Sequence, residues 1–400
     1  VSIFDGYGRR YFKGPGYSHF GINHILSTGQ SLSIGYNGNP ALSTTQPYSN
    51  LMFVGGPLPG GAGIGLASLV PHVESSVETH QAGCANSAAA LAAAGNLEEF
   101  HHDHVALSSG HGVGSAAYAL LKKGTTPYSN GMAQVDAGVA LAAAAGAAYC
   151  VRCVNVVHGE ADSDLGTANY DTDMLQWQTD YEADVKSRSH QLWGVPMFHS
   201  QISSWTGNGF STALIPYAQL AAAAARPSRI YIVGPKYMLP YVDLFHLTNQ
   251  GYRWLGELYA KAYRMVVARH QPWVPLQPAS VSRVGAVIDI TFSVPVSPLV
   301  VDTVNVTDPG NLGFEFYDDA GPSVGISSVV LTGATTVRVT LTGAPTGGSK
   351  RIRYAYTGTA FNGGGPTTGP RGCLRDSDAA ASLYGYNLWN WCVHFDEAAT

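Results

Sequence analysis

Residues 24–35 read "HILSTGQSLSIG", and the fold turns on how this stretch is understood. Apolar residues run into Gly29-Gln30-Ser31 and then meet a second small-residue step at Gly35. The pattern predicts a strand that stops where the backbone must turn, with a hydroxyl placed at the turn. Taken alone, a serine there serves as a helix cap, a turn residue or a nucleophile. The rest of the chain has to choose.

Working outward, short apolar runs alternate with helical segments. "INHILSTG", "HVALSSG", "VRCVNVVHG", "VPMFHSQI" and "RIYIVG" predict buried parallel strands. Between them, "NSAAALAAAGN", "MAQVDAGVALAAAAGAA", "TDMLQWQTDYEADVKSRS" and "ALIPYAQLAAAAA" predict helices. After the last strand, "TNQGYRWLGELYAKAYRMVVARH" carries apolar residues at helical spacing, with Thr248 as its N-cap. Strand and helix alternating in this way predict an α/β fold, a three-layer α/β/α sandwich around a parallel sheet.

Near residue 272 the period changes. "QPWVPLQPAS" (271–280) holds three prolines and reads as a linker. Beyond it, "AVIDITFSV", "VVLTG", "TVRVTLTG" and "KRIRYAYTG" alternate with period two between Gly, Pro, Asn and Asp turns. They predict a C-terminal antiparallel β-sandwich, Ig-like or jelly-roll in type. The expected organisation is an α/β domain over 1–271 and an accessory β-sandwich over 272–400, and 400 residues suit two domains.

Composition narrows the class. Hydrophobic residues make up 45% of the chain and charged residues only 12%, about half the roughly 25% of ordinary soluble domains. Forty-seven glycines and 22 tyrosines help to fill the gap, giving a neutral polar surface suited to an extracellular or virion-associated protein, or to a subunit of a homo-oligomer or larger assembly. A net charge of -5 gives no electrostatic case for nucleic acid. No apolar stretch reaches the roughly 18 residues of a membrane span. "AGVALAAAAGAAYCV" (137–151) reads instead as a buried helix entering a strand. The opening "VSIFDGYGRR" is not a signal peptide, so export would need a leader already removed or another route. Of five cysteines, Cys150 and Cys153 sit in an apolar strand and read as structural, while Cys373 and Cys392 could pair in an oxidising compartment.

In parallel α/β sheets, functional groups gather at the carboxyl ends of the strands. Here the first strand ends in Gly29-Gln30-Ser31 and the second in "SSGHGVGS" (108–115). The third ends in "HGEAD" (158–162), and after the fifth comes "PKYMLPYVDLFHLT" (235–248) with Asp243-x-x-His246. These ends offer a hydroxyl, glycine amides, a His/Glu/Asp cluster and an Asp-His pair. Nucleophilic acyl transfer needs such a set: a serine, an imidazole to take its proton, a carboxylate to orient the imidazole, and amides for the oxyanion.

In this order, "GQS", the Gly-rich second block, "HGEAD" and "DLFHLTNQGYRWLGE" resemble the SGNH hydrolases. More narrowly they are similar to the sialate O-acetylesterase-like and carbohydrate acetylesterase branch, over roughly residues 20–270. The tail "GPRGCLRDSD…YGYNLWNWCVHF" also looks like that of bacterial and phage-associated members. The resemblance implies the SGNH or flavodoxin-like sandwich, with Ser31 as nucleophile, His246 as general base and Asp243 as its orienting carboxylate. It implies an oxyanion hole from the backbone N–H of Ser31 and a second-block glycine, Gly112 or Gly114, with Gly112 favoured. Gln30 belongs to the nucleophile block, and His158 stands where the branch usually has a glutamine oxyanion donor. Glu160 and Asp162 read as braces for the strand ends and the Ser31 loop more than as acid–base groups.

Other candidates weigh less. "HHDH" (101–104) has metal-like spacing but falls at the amino end of a strand, and a structural cluster is the favoured reading. Tyr384, Tyr386, Trp389 and Trp391 could form a sugar-stacking platform, yet as last strands of a β-sandwich they read rather as packing. The function expected is a metal-independent, cofactor-free serine esterase that removes small acyl groups, most of all acetyl, from a polysaccharide or glycan. The alternative is a structural or adhesive subunit of a phage tail, fibre or cell-surface assembly built on the same scaffold.

Overall fold

The computed structural model describes residues 21–93, 104–321 and 323–400, together with the backbone of two short paired strands, β1 (Ser2–Phe4) and β2 (Arg10–Phe12). At the centre lies β3 (Ile22–Gly29), an eight-residue strand in which every residue is buried. A strand covered on both faces shows no in-and-out alternation: Ile22, Ile25 and Leu26 are buried, and so are Asn23, His24, Ser27 and Thr28.

Around it are β4 (Leu51–Phe53), β5 (Leu69–Pro71), β6 (Ala106–Gly110), β7 (Tyr149–Val157), β8 (Met197–Ser200) and β9 (Ile230–Gly234), in the order β5-β4-β6-β3-β7-β8-β9. The five expected strands are parallel. The sheet is wider than expected and mixed at one edge: β4 joins β6 through the single pair Leu51–Leu107, and β5 runs antiparallel to β4. Strands of three residues are too short to show a period, so the sequence hides them. Register brings Ser27 opposite Gly110 and Gly29 opposite Val157, so the loops that follow β3, β6 and β7 emerge together at one edge.

Helices α1 (His80–Ala93) and α6 (Asn249–Tyr263) cover one face, where Cys84, Ala85 and Ala88 pack with Tyr252, Leu255 and Tyr259. The Thr248 side chain caps α6 by accepting from the Gly251 N–H at 3.1 Å, and a single π turn (Arg264–Ala268) follows the helix. The other face carries α2 (Thr126–Ala144), α4 (Tyr170–Ser189) and α5 (Ile215–Ala225), whose Met132, Val135, Trp177, Tyr181 and Ala222 share a second core. A one-turn helix, α3 (Glu160–Asp164), follows β7. The end of α2 is less buried than expected, since Ala143–Gly146 face solvent. No described helix is long and apolar enough to cross a membrane.

The C-terminal region is antiparallel throughout. Its strands are β10 (Gln277–Val284), β11 (Val287–Ser293), β12 (Val300–Val301), β13 (Phe314–Asp318), β14 (Ile326–Leu331), β15 (Thr336–Leu341), β16 (Lys350–Tyr354), β17 (Leu374–Arg375) and β18 (Phe395–Ala398). They form sheets β10-β11-β15-β14, β13-β16-β18 and β12-β17. Ile288, Ile290 and Phe292 alternate inward along β11 and meet Phe314, Ile352, Tyr354 and Phe395. This cluster is continuous with the α1/α6 core, so one apolar interior runs through both regions.

That continuity corrects several readings. The proline-rich "linker" is packed: Trp273 and Leu276 are buried, the Trp273 indole donates to the Ile232 carbonyl at 2.8 Å, and β10 already begins at Gln277. Pro278 fits the strand because it sits at a β-bulge. All five cysteines are buried free thiols. Cys373 and Cys392 form no disulfide, their sulfurs lying instead against the carbonyls of Val306 and Val393. The aromatic set 384–391 builds no strand beyond an isolated bridge at Trp391. It drapes over α6: Tyr386 stacks on Trp254 at 5.3 Å, the Arg253 guanidinium covers Tyr384, and the Arg375 guanidinium covers Trp389 at 3.6 Å. Of "HHDH", residues 101–103 lie outside the described residues, and His104 Nε2 is 2.7 Å from the Tyr263 hydroxyl.

Candidate active site

The nucleophile block is shaped by a glycine. Gly29 has φ +134°, and a Cβ there would fall 2.1 Å from the Val157 carbonyl oxygen, so only glycine ends β3 in this way. Gln30 N–H then donates to that same carbonyl at 3.2 Å. A 3-10 turn over Ser31–Ile34 follows, fastened by the Ser33 hydroxyl and amide, both donating to the Gln30 carbonyl. Ser31 opens this turn, only 8% exposed yet facing a pocket.

The base arrives from the loop after β9. Asp243 Oδ1 accepts the amides of Phe245 at 2.8 Å and His246 at 2.7 Å, an Asx-type turn that explains the three-residue spacing. His246 Nδ1 lies 2.9 Å from Asp243 Oδ2, and His246 Nε2 lies 2.8 Å from Ser31 Oγ. With a carboxylate at Nδ1, the neutral ring carries its proton there and Nε2 accepts from the serine hydroxyl, an assignment made from the partners. Partial burial pushes the Asp243 carboxyl up. The amides of His246 and Phe245, the imidazole and the Asn37 amide outweigh it and hold the group below the usual carboxylate range. The Tyr36 ring lies against His246 with centroids 4.8 Å apart.

The opposite wall is buried. Lys236 Nζ pairs with Glu160 Oε1 at 2.7 Å, joining the loop after β9 to the start of α3. Gln30 Oε1 accepts from Ala161 N–H at 3.0 Å, so the contact from the third block to the serine loop is made by the backbone, while Asp162 accepts from the Tyr118 amide and the Thr167 hydroxyl. Beneath, the Lys236 amide donates to Ser203 Oγ at 3.0 Å, and that hydroxyl lies 2.8 Å from His394 Nε2. His394 Nδ1 in turn donates to the Ala355 carbonyl at 2.7 Å. A buried hydrogen-bonded chain thus runs from the pocket floor into the C-terminal region.

Between the walls is a pocket of about 240 Å³, lined by Gln30, Ser31, Ser115, Glu160, Ala161, Asp164, Leu165, Asn208, Phe245 and His246. A larger cavity of about 420 Å³ opens at the other end of the strands, around Cys150, Pro196 and Arg229, and contains none of these side chains. The structure brings Ser31, Gln30, Glu160 and His246 to the pocket, with Asp243 directly behind the imidazole. It does not bring His158. That ring is fully buried, with Nε2 3.0 Å from the Ala116 carbonyl and Nδ1 2.7 Å from the Tyr170 hydroxyl, and burial lowers its pKa. Gly112 is pressed onto the serine loop, where a Cβ would lie 2.0 Å from Ser33 Oγ, whereas Gly114 faces open space. The second block lines the pocket through Ser115.

Sequence reading missed Lys236, Asn37, Asn208 and Phe245. Lys236 had a signal, since it follows Gly234-Pro235 at a strand end; Asn37 had none. Among the described residues, no group of three or more His, Cys, Asp or Glu side chains is placed to hold a metal ion.

A scan of protein-family models finds no match, and a search of curated proteins finds no relative. Solved structures do match. A carbohydrate acetylesterase from Xanthomonas citri aligns with a TM-score of 0.60 at 15% identity, covering 94% of this chain and 80% of that one. A protein from Arabidopsis thaliana aligns at 0.41 and 17% identity, over 60% of this chain and 97% of its own. A carbohydrate acetylesterase from Sinorhizobium meliloti aligns at 0.34 and 13%, over 60% and 97%. At such identity the first of these speaks for the fold alone: this chain shares the fold of the Xanthomonas citri carbohydrate acetylesterase, an α/β sandwich followed by a β-rich region.

Proposed function

We propose that the chain is a serine esterase that removes small acyl groups, above all O-acetyl, from a carbohydrate. The observation that carries this reading is the unbroken line from Ser31 Oγ through the His246 imidazole to Asp243, with links of 2.8 and 2.9 Å, at the mouth of a small pocket. Ser31 Oγ attacks the ester carbonyl as His246 Nε2 takes its proton, and the Asp243 carboxylate stabilises the imidazolium. Collapse of the tetrahedral intermediate breaks the C–O bond, and the imidazolium protonates the departing sugar oxygen, which leaves as a hydroxyl. Water, deprotonated by the same imidazole, then releases the acid and restores Ser31. We assign the oxyanion to the Ser31 N–H and to an amide of the loop 112–115. His158 is left out because its ring is committed elsewhere.

The pocket also favours short acyl groups. Leu165 and Phe245 are the bulky apolar side chains in its lining, and the remainder is small or polar. A longer chain would find no groove to recover the roughly 0.8 kcal/mol of each buried methylene. The test is hydrolysis of p-nitrophenyl esters by wild type and Ser31→Ala. The wild type should cleave acetate far better than octanoate, and Ser31→Ala should lose about 1,000-fold or more in kcat while keeping the far-UV spectrum. Full activity in Ser31→Ala, or a rate that rises with chain length, would refute the assignment.

A further inference from the structure

The C-terminal region reaches the turns beside the pocket through the loop between β16 and β17. Phe361 N–H donates to the Thr206 carbonyl at 2.7 Å, and Gly358 N–H donates to Ser211 at 2.9 Å. On its other side, Gly364 N–H donates to the Leu244 carbonyl at 3.2 Å. The loop is therefore tied both to the turn that carries Asn208 and to the turn that carries Asp243 and His246.

At its tip, Phe361 adopts φ +64°. A bulky L-residue in the left-handed region is strained, and such residues persist only where surrounding contacts hold them. Yet the ring gains little burial in return, for Phe361 is 74% exposed. One edge rests on Gly209, where φ is +87° and a Cβ would lie 2.7 Å from the ring. Phe210, 42% exposed, comes next in the chain. Gly209 directly follows Asn208, which lines the pocket with Phe245, and a Cβ at Gly207 would touch the Phe245 ring at 2.5 Å. The turn that supports the Phe361 ring at Gly209 is thus the same turn that lines the pocket at Asn208. Tyr384, Tyr386 and Trp389 already have partners on α6 or arginine, whereas the Phe361 face is open.

We propose that Phe361 is a specificity-determining residue of this site: its exposed ring stacks on the apolar C–H face of the sugar whose acetyl group enters the pocket. The inference rests on the esterase reading above. Aromatic rings suit sugars because they offer a flat apolar face at small entropic cost, while Asn208 stands beside it to meet hydroxyl groups. The strained backbone then serves to present the ring.

The experiment measures acetate release from ethyl acetate, which has no ring to stack, and from glucose pentaacetate, using wild type, Phe361→Leu and Phe361→Tyr. Phe361→Leu should keep kcat/KM for ethyl acetate within about twofold and raise KM for glucose pentaacetate about tenfold, with kcat little changed. Phe361→Tyr should restore the sugar ester to near wild type. An unchanged KM for the sugar ester in Phe361→Leu overturns the proposal. So does an equal fall on both esters, because the ring would then merely hold the catalytic turn. A wild type that cleaves ethyl acetate but not the sugar ester also overturns it, with the esterase reading intact. A wild type inactive on both esters removes the esterase reading and this proposal together.

Discussion

Ser31, Asp243 and His246 stand on the open wall of the pocket, whereas Glu160 and its partner Lys236 belong to the closed wall, with His158 buried in the core. The open wall is local: a 3-10 turn sets the serine, and two backbone amides set the aspartate. The closed wall is collective, because a buried ion pair and buried imidazoles link β7, β9 and the C-terminal region. Side chains on the open wall are therefore replaceable at small cost to the fold, whereas those behind cannot be changed without disturbing their neighbours. On the proposed reading, chemistry sits where stability does not depend on it.

Variants that separate rate from stability sharpen this contrast. The largest expected effect is on the open wall: His246→Ala should lower kcat about 10,000-fold, the scale of losing a triad base, while shifting unfolding free energy by about 1 kcal/mol or less. A matched collapse of stability, measured by urea unfolding, would break the distinction. On the closed wall, Lys236→Met leaves the Glu160 carboxylate buried without its cation and should cost about 3–5 kcal/mol of stability. Adding Glu160→Gln should recover much of it, because neither charge then remains, and unfolding of the double variant checks this.

Acid should attack the closed interior first. Burial lowers His24, His80 and His199 to about 3 and His72, His111 and His394 to about 4, from 6.5. Above pH 6.5 these imidazoles are neutral both folded and unfolded. Below it the unfolded chain binds protons that the native state refuses, so stability falls as pH drops from about 6.5 towards 3–4. Glu74, raised to about 8 by burial, tilts the other way as pH rises from 4.5. Melting temperatures that stay level between pH 7 and 4 would contradict this account. The smallest effect belongs to Asn37, whose amide holds Asp243 Oδ2 at 2.8 Å. Asn37→Ala should lower kcat/KM about threefold to tenfold, the worth of roughly 1 kcal/mol, with no change in melting.

The open wall was also the more legible in sequence. Ser31 and the Asp243/His246 pair each lie within one strand-end block, so a local pattern exposes them. The closed wall is made by register between distant strands: His158 and Lys236 acquire their roles only when β7 and β9 are aligned, and His158 proved to be turned into the core. The parallel strands were readable because each holds a short cluster of apolar residues before a turn signal, while Leu51–Phe53 and Leu69–Pro71 are too brief to show a period. The segment 376–392 misled for a related reason. Tyr384 and Tyr386 pack on α6, Trp389 lies under Arg375 and Trp391 meets Tyr237, all without forming a ladder, and composition cannot tell such draping from a strand.

The central claim is that Ser31 is the nucleophile, and covalent labelling tests it most directly. Wild-type protein treated with diisopropyl fluorophosphate, digested and examined by mass spectrometry should carry a single phosphoryl adduct on Ser31, with esterase activity lost in proportion to labelling. No adduct should form in Ser31→Ala or, at a comparable rate, in His246→Ala. An adduct on another residue that tracks the loss of activity, or esterase activity that survives full labelling of Ser31, would contradict the account.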